Sequence, residues 1–205
     1  LHGVHVRIHH NISIHIYIYI YVCVCMSVCR SMKTTTTTTT TTKEQLQQII
    51  PKNPYLDKWF NALSQLLPDY EINTPQRIAA FLAQCAHESG NFKFITEFAS
   101  GSAYEGRKDL GNTQPGDGVR FKGRGFIQLT GRANYSKFST FCNEDCVANP
   151  ELVATKYPMM SAAYFFNNNG LWAVCDKGDD DATVTAVTKR VNGGTNGLAD
   201  RLKHF

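Results

Sequence analysis

The chain has 205 residues, with 21 basic and 17 acidic side chains and a formal charge of +4. That length suffices for one ordinary domain with a sizeable core. The excess charge lies in residues 1–42, which hold Arg7, Arg30 and Lys33 and no acid; the remainder, with 18 basic and 17 acidic residues, is nearly neutral and carries no nucleic-acid footprint.

From Ile14 the chain reads IHIYIYIYVCVCMSVC, then RSMK and nine threonines. This is the pattern of a translated dinucleotide repeat followed by a triplet repeat. Residues 1–42 are therefore read as a low-complexity leader, either disordered or an artefact of the gene reading; a degraded targeting segment and a short anchor are the alternatives. A spanning helix needs ~20 mostly apolar residues. Ser13 and His15 interrupt this run, so no stable membrane insertion is expected. The small-residue cleavage pattern of a secretory signal is missing, and Met32 offers another start.

Beyond that segment the cysteines are Cys85, Cys142, Cys146 and Cys175, and the histidines are His87 and His204. Two histidines without a CxxC pair give no zinc site, and no cofactor is called for. Cys142 and Cys146 fit a small-loop disulfide in an oxidising compartment or two buried thiols.

From Lys43 the pattern is helical. KEQLQQII makes a short helix stopped by Pro51, and Leu56, Trp59, Phe60, Leu63, Leu66 and Leu67 recur at helical spacing in the next. The clearest helix is NTPQRIAAFLAQCAHESG. Thr74 is its N-cap, Pro75 suits its first turn, Ile78, Phe81, Leu82 and Cys85 share a face, and Gly90 ends it. Between Ser100 and Gly131 glycines accumulate. GDG at 116–118 signals a turn, and VRFKGRGFIQLT supplies short strand-like runs broken by Gly123 and Gly125. Helices resume in TGRANYSKFSTF, NPELVATK, PMMSAAYFFNNNG and DATVTAVTKRVNGG. The expected architecture is mainly α with a small β element between two helical groups.

Glu88 stands where the clearest helix runs out. The negative end of the helix and apolar neighbours both disfavour a carboxylate there, which suits a proton donor. Glycoside cleavage needs a second carboxylate across the bond. Glu97, Glu105, Asp109 and Asp117 are available, and Glu105, in an irregular loop, is preferred. Asp117 reads as a turn residue and Glu97 as the continuation of a surface helix. Nucleophile-elbow, dinucleotide and phosphate-loop patterns are unmet.

FLAQCAHESGNF, GRGFIQLTGRANY and VNGGTNGLADR together resemble glycoside hydrolase family 19, the chitinases and related endolysins, over roughly Pro51 to Phe205. The resemblance implies a lysozyme-like, two-lobed, mainly α fold with a small β element beside the active-site cleft, and residues 43–205 as the catalytic domain. It implies Glu88 as general acid, Glu105 as general base and Thr130 as holder of the attacking water. His87, Tyr104, Gln128, Asn134, Tyr135, Asn192 and Arg201 match substrate-binding positions. Gln128, Asn134 and Asn192 offer both donors and acceptors for N-acetyl and hydroxyl groups. Tyr104 and Tyr135 can stack on sugar faces; Phe121 and Trp172 fit the core better. The expected activity is inverting, endo-acting cleavage of chitin or a related N-acetylated polysaccharide, by a monomer acting outside the cell. Peptidoglycan hydrolysis is the alternative, and a non-catalytic sugar-binding descendant is the alternative of another class.

Overall fold

The computed structural model describes residues 41–205. The reading of residues 1–40 as part of a leader lies outside the described residues.

The described part is built from α1 (Lys43–Ile49), α2 (Leu56–Asp69), α3 (Pro75–Glu88), α4 (Asp117–Arg120), α5 (Arg132–Cys142), α6 (Leu152–Thr155), α7 (Pro158–Asn168), α8 (Trp172–Cys175), α9 (Asp181–Asn192) and α10 (Leu198–His204). Two 3₁₀ turns, Ser102–Tyr104 and Lys108–Leu110, lie between α3 and α4. Local chemistry explains the better-defined starts. Thr42 and Gln45 form a reciprocal capping box on α1. Thr74 accepts from Arg77 N at the start of α3 with Pro75 just inside, and Asp180 accepts from Thr183 N at the start of α9. That backbone hydrogen bond also holds the Asp180 carboxyl below the usual carboxylate range. Among the described residues, no helix is long and apolar enough to cross a membrane.

Helix α3 is the centre of the core. Its residues from Ala80 to Ala86 are all buried, so it is apolar nearly all round. Phe81 meets Phe166 of α7 edge-on at 5.2 Å. Trp59, Leu63 and Leu67 of α2 and Val187 of α9 complete this cluster. A second cluster gathers Phe121, Tyr135, Phe138, Cys146, Val153 and Tyr164. Helix α7 serves both, with Phe166 in the first and Tyr164 in the second.

The small β element is not there: no strand forms among the described residues. The glycine-rich segment makes only two isolated antiparallel bridges, Thr96 to Arg124 and Arg124 to Leu129. Three features keep the pairing short. Val119 and Arg120 belong to α4 instead. Gly125 and Gln128 take left-handed angles and turn the chain immediately after Arg124. Gly123 and Gly125 bring no side chains to pack on a sheet face. The alternation that suggests a strand therefore serves a tight loop.

An aromatic stack fixes that loop to the end of α3. Gly90, Asn91 and Phe92 all take left-handed angles after the helix ends. For a phenylalanine this conformation is strained by roughly 1–3 kcal/mol. Burial holds it there, since Phe92 is 1 % exposed and stacks on Phe126 with centroids 4.3 Å apart. Trp59 closes on Phe126 at 5.1 Å. Phe126→Ala is expected to lower unfolding stability by about 3–5 kcal/mol, the range for a fully buried aromatic. Urea denaturation measures it, and a loss below 1 kcal/mol would show that the stack does not hold the loop.

Candidate active site

Glu88 is the last residue of α3 and its side chain is 25 % exposed. The chain turns away from it through Ser89, whose buried hydroxyl donates to Cys85 O at 2.6 Å and accepts from Phe92 N at 2.9 Å. Asn91 N closes the helix end on Ala86 O at 2.7 Å. Ser-Gly after the acid thus makes a fixed corner.

The partner of Glu88 comes from the far end of the chain. Arg201 of α10 is 1 % exposed and donates Nη2 to Glu88 Oε1 at 2.6 Å. Its Nη1 donates to Gln84 Oε1, and Gln84 Nε2 donates to Thr188 Oγ1 of α9 at 3.1 Å. One turn of α3 and two later helices thereby share a buried polar chain. His87 lies beside it, with Nδ1 2.7 Å from Asp200 Oδ2. That contact holds the Asp200 carboxyl below its usual range, with His204 adding to the effect. Gly197 is the approach point of α10. A Cβ there would stand 2.1 Å from the His87 ring, and its φ of +69° suits glycine.

The glycine-rich loop holds a second group of candidates. Glu97 N donates to Gly123 O at 2.9 Å, beside the Thr96–Arg124 bridge, so Glu97 does not continue a surface helix. Its Oε2 accepts from Gly123 N at 2.9 Å and its Oε1 from Tyr104 OH at 2.9 Å. A Cβ at Gly123 would stand 2.7 Å from Gln128 Oε1 and 3.1 Å from Glu97 Oε2. Glycine at 123 leaves room for both polar ends, which a side chain there would have to displace. The antiparallel register of the two bridges sets Glu97, Gly123 and Thr130 abreast. Thr130 Oγ1 donates to Gln128 O at 2.9 Å, and Asn134 Nδ2 donates to Thr130 O at 2.8 Å.

Glu105 has a different setting. It is exposed, its Oε1 accepts from Gly116 N at 2.7 Å, and its Oε2 accepts from Gly118 N at 2.8 Å. Both oxygens hold the start of α4. Asp117, read from sequence as a turn residue, is instead the first residue of α4; it is 1 % exposed and paired with Arg132, whose guanidinium keeps the Asp117 carboxyl below its usual range.

The other candidates divide in two. Tyr104, Gln128, Thr130 and Asn134 surround Glu97 and Gly123 and are partly exposed. Tyr135, expected against a sugar face, is fully buried. Its hydroxyl donates to Lys122 O at 2.7 Å and accepts from Arg124 Nη1 at 3.1 Å, and burial pushes it up to about 12. It supports the loop from beneath. The Asn192 side chain spans its own turn, with Nδ2 on Asn196 O at 2.9 Å and Oδ1 accepting from Gly194 N at 2.8 Å. His87, Asn192 and Arg201 are thus occupied by protein partners around Glu88. Glu97 is the residue that sequence reading set aside. The usable signal was Gly90: a helix stopped there cannot carry a helical face on to residue 97.

The family model for chitinase class I matches residues 60–175. A glycosyl hydrolase family 19 domain-containing protein of Haemophilus influenzae is 30% identical over 160 residues, covering 62% of this chain and 76% of that protein. An endochitinase of Arabidopsis thaliana is 32% identical over 145 residues, covering 70% of this chain but 49% of its own length, so this chain spans about half of that plant relative. Chitinase C from Streptomyces griseus shares the fold, with a TM-score of 0.61 at 20% identity, covering 80% of this chain and 72% of that one.

Gly197→Ala is expected to lower stability by about 2–4 kcal/mol, from overpacking against His87 together with the left-handed backbone. Equilibrium denaturation tests this. A change below 0.5 kcal/mol would mean that α10 is not seated on His87.

Proposed function

The chain belongs to the chitinase class I family of glycoside hydrolases, and from that premise we propose that residues 43–205 form an inverting, endo-acting hydrolase of β-1,4-linked N-acetylglucosamine polymers. Glu88 is the general acid. It gives its proton to the glycosidic oxygen as the bond from C1 to that oxygen breaks. A water attacks C1 from the opposite face and loses its proton to the general base.

We assign the base to Glu97. The observation that carries this is the glycine floor, where the Glu97 carboxylate and the Gln128 amide oxygen converge over a residue without a side chain. Thr130, abreast of Gly123, is the hydroxyl that steadies the water. Tyr104 holds Glu97 and orients it. Gln128 and Asn134 present amide groups to the acetamido and hydroxyl substituents. His87, Asn192 and Arg201 act behind the acid as positioning residues. Glu105, favoured by the sequence pattern, is the second reading for the base. Its loop residue Gly116 lines a concavity of about 730 Å³ with Gln114, Asp117, Arg120 and Arg132.

Peptidoglycan offers the same acetylated sugars. A nearly neutral sequence outside residues 1–42 supports the uncharged polymer, because anionic walls favour a strong positive field. An insoluble polymer must be met where it is laid down, which favours action outside the cell, by a monomer able to reach along the strand.

Glu88→Gln and Glu97→Gln are each expected to lower turnover of chitin oligosaccharides by 10²–10⁴-fold, the range for acid–base catalysis, while oligosaccharide binding persists. Glu105→Gln is expected to stay within a few-fold of wild type. A collapse in Glu105→Gln with Glu97→Gln active would exchange the two roles, and three active variants would remove Glu88, Glu97 and Glu105 alike as the acid and base.

Stereochemistry gives a separate check. An inverting pair stands roughly 6.5–9.5 Å apart to admit a water, against about 5–5.5 Å in a retaining pair. Proton NMR of the first product, before mutarotation, is expected to show the α-anomer at the new reducing end. Initial β-anomer would mean retention and rule out a single displacement by a water activated at Glu97.

A further inference from the structure

Helix α5, which begins just after Thr130, ends at Cys142. Asn143 follows with φ +54° and reverses the chain, so that Cys146 returns beside the helix end. The two sulfurs stand 3.7 Å apart. They are held there by something other than each other. Ser139 Oγ donates to Tyr135 O at 2.8 Å and accepts from Cys146 N at 2.9 Å. Ser139 O accepts from Glu144 N at 3.2 Å and also faces Cys142 Sγ at 3.7 Å. Cys146 is fully buried against the cluster of Phe121, Tyr135 and Phe138, while Cys142 is half-buried. Cys85 and Cys175 are buried in the other cluster.

We infer that Cys142 and Cys146 are a disulfide site, closed by exchange with a low-molecular-weight disulfide, that ties the end of α5 to the loop after it. The backbone already places both sulfurs, and they need to approach by only about 1.6 Å to reach bonding distance. In the first step the Cys142 thiolate attacks the small disulfide, forming a mixed disulfide and releasing one thiolate. In the second the Cys146 thiolate attacks Cys142 Sγ, and the second small thiolate leaves. The two protons given up by the cysteines end on the two released thiols. Burial, with Cys142 close by, pushes the Cys146 thiol up to about 12, so the more accessible Cys142 makes the first attack.

The bond matters to the site through α5. That helix carries Asn134, and its Tyr135 hydroxyl holds Lys122 O immediately before Gly123. Closing its far end restrains the helix that supports the glycine floor. A pair with this geometry suits an oxidising compartment, where such bonds persist.

The test uses the full chain, folded and equilibrated with a glutathione and glutathione-disulfide buffer, acid-quenched, alkylated and digested with trypsin. The peptide spanning residues 138–156 is expected to be lighter by two hydrogens and to take no alkyl group, whereas Cys85 and Cys175 alkylate once unfolded. Reduction is expected to lower Tm by roughly 4–8 °C, the scale for opening so short a loop in a domain of this size. Cys142→Ser is expected to lose that reductant-dependent shift. A 138–156 peptide that keeps both thiols, or pairs with Cys23, Cys25 or Cys29, overturns the inference. So does an equal Tm shift in Cys142→Ser. The mass result needs no variant, so a poorly folding Cys142→Ser leaves the test intact.

Discussion

The structure around the acid depends on one buried cation. Arg201 is almost wholly removed from solvent, and a guanidinium in that position is expensive unless its donors are met. Glu88 Oε1 and Gln84 Oε1 supply acceptors for its two terminal nitrogens. The requirement runs in both directions. Arg201 can be buried only if α10 lies on α3, and Glu88 can end a helix, where the peptide dipoles oppose a carboxylate, because a cation waits there. The pair contributes orientation more than stability, since burial of both groups opposes their attraction.

The glycine-rich loop obeys a steric rule in place of an electrostatic one. Gly123 leaves a gap that Glu97 and Gln128 fill from two sides. Their backbones are held by single bridges and not by a sheet. Such sparse pairing would leave a loop mobile if nothing anchored it. Here the anchors are aromatic: Phe126 stacks on Phe92, three residues past Ser89, and Tyr135 supports Lys122 from below. The stack joins the loop to the very turn that follows the acid, so the two carboxylates belong to one packed unit.

This division explains what could be read in advance. Helix α3 was legible to the residue, because Thr74, Pro75, the apolar face and Gly90 are local signals. The position of Glu88 at its last turn followed from them. The β element was misread because alternation in FKGRGFIQL looks the same whether the chain pairs or turns; left-handed angles at Gly125 and Gln128 decide it, and Gln128 gives no warning of that in its side chain. Tyr135 was misplaced because an aromatic beside a polar sugar-binding pattern looks like a platform, whereas its burial depends on Phe121 and on Arg124 reaching from another segment. Glu97 was set aside because its meaning lies in a contact with residue 123, a separation at which no periodicity speaks.

His87, Asn192 and Arg201 have protein partners on every group described. Arg201 is the most committed of the three, buried with its guanidinium on Asn196, Gln84 and Glu88, whereas His87 and Asn192 stay partly exposed. Side chains with more free surface lie just past the acid. Phe98 is 83 % exposed and meets the half-exposed Phe94 edge-on at 5.1 Å, and Phe94 lies against Gly90, two residues past the acid. The turn after Glu88 is thus closed by protein contacts on one side, whereas Phe94 and Phe98 keep free surface on the chain that follows it.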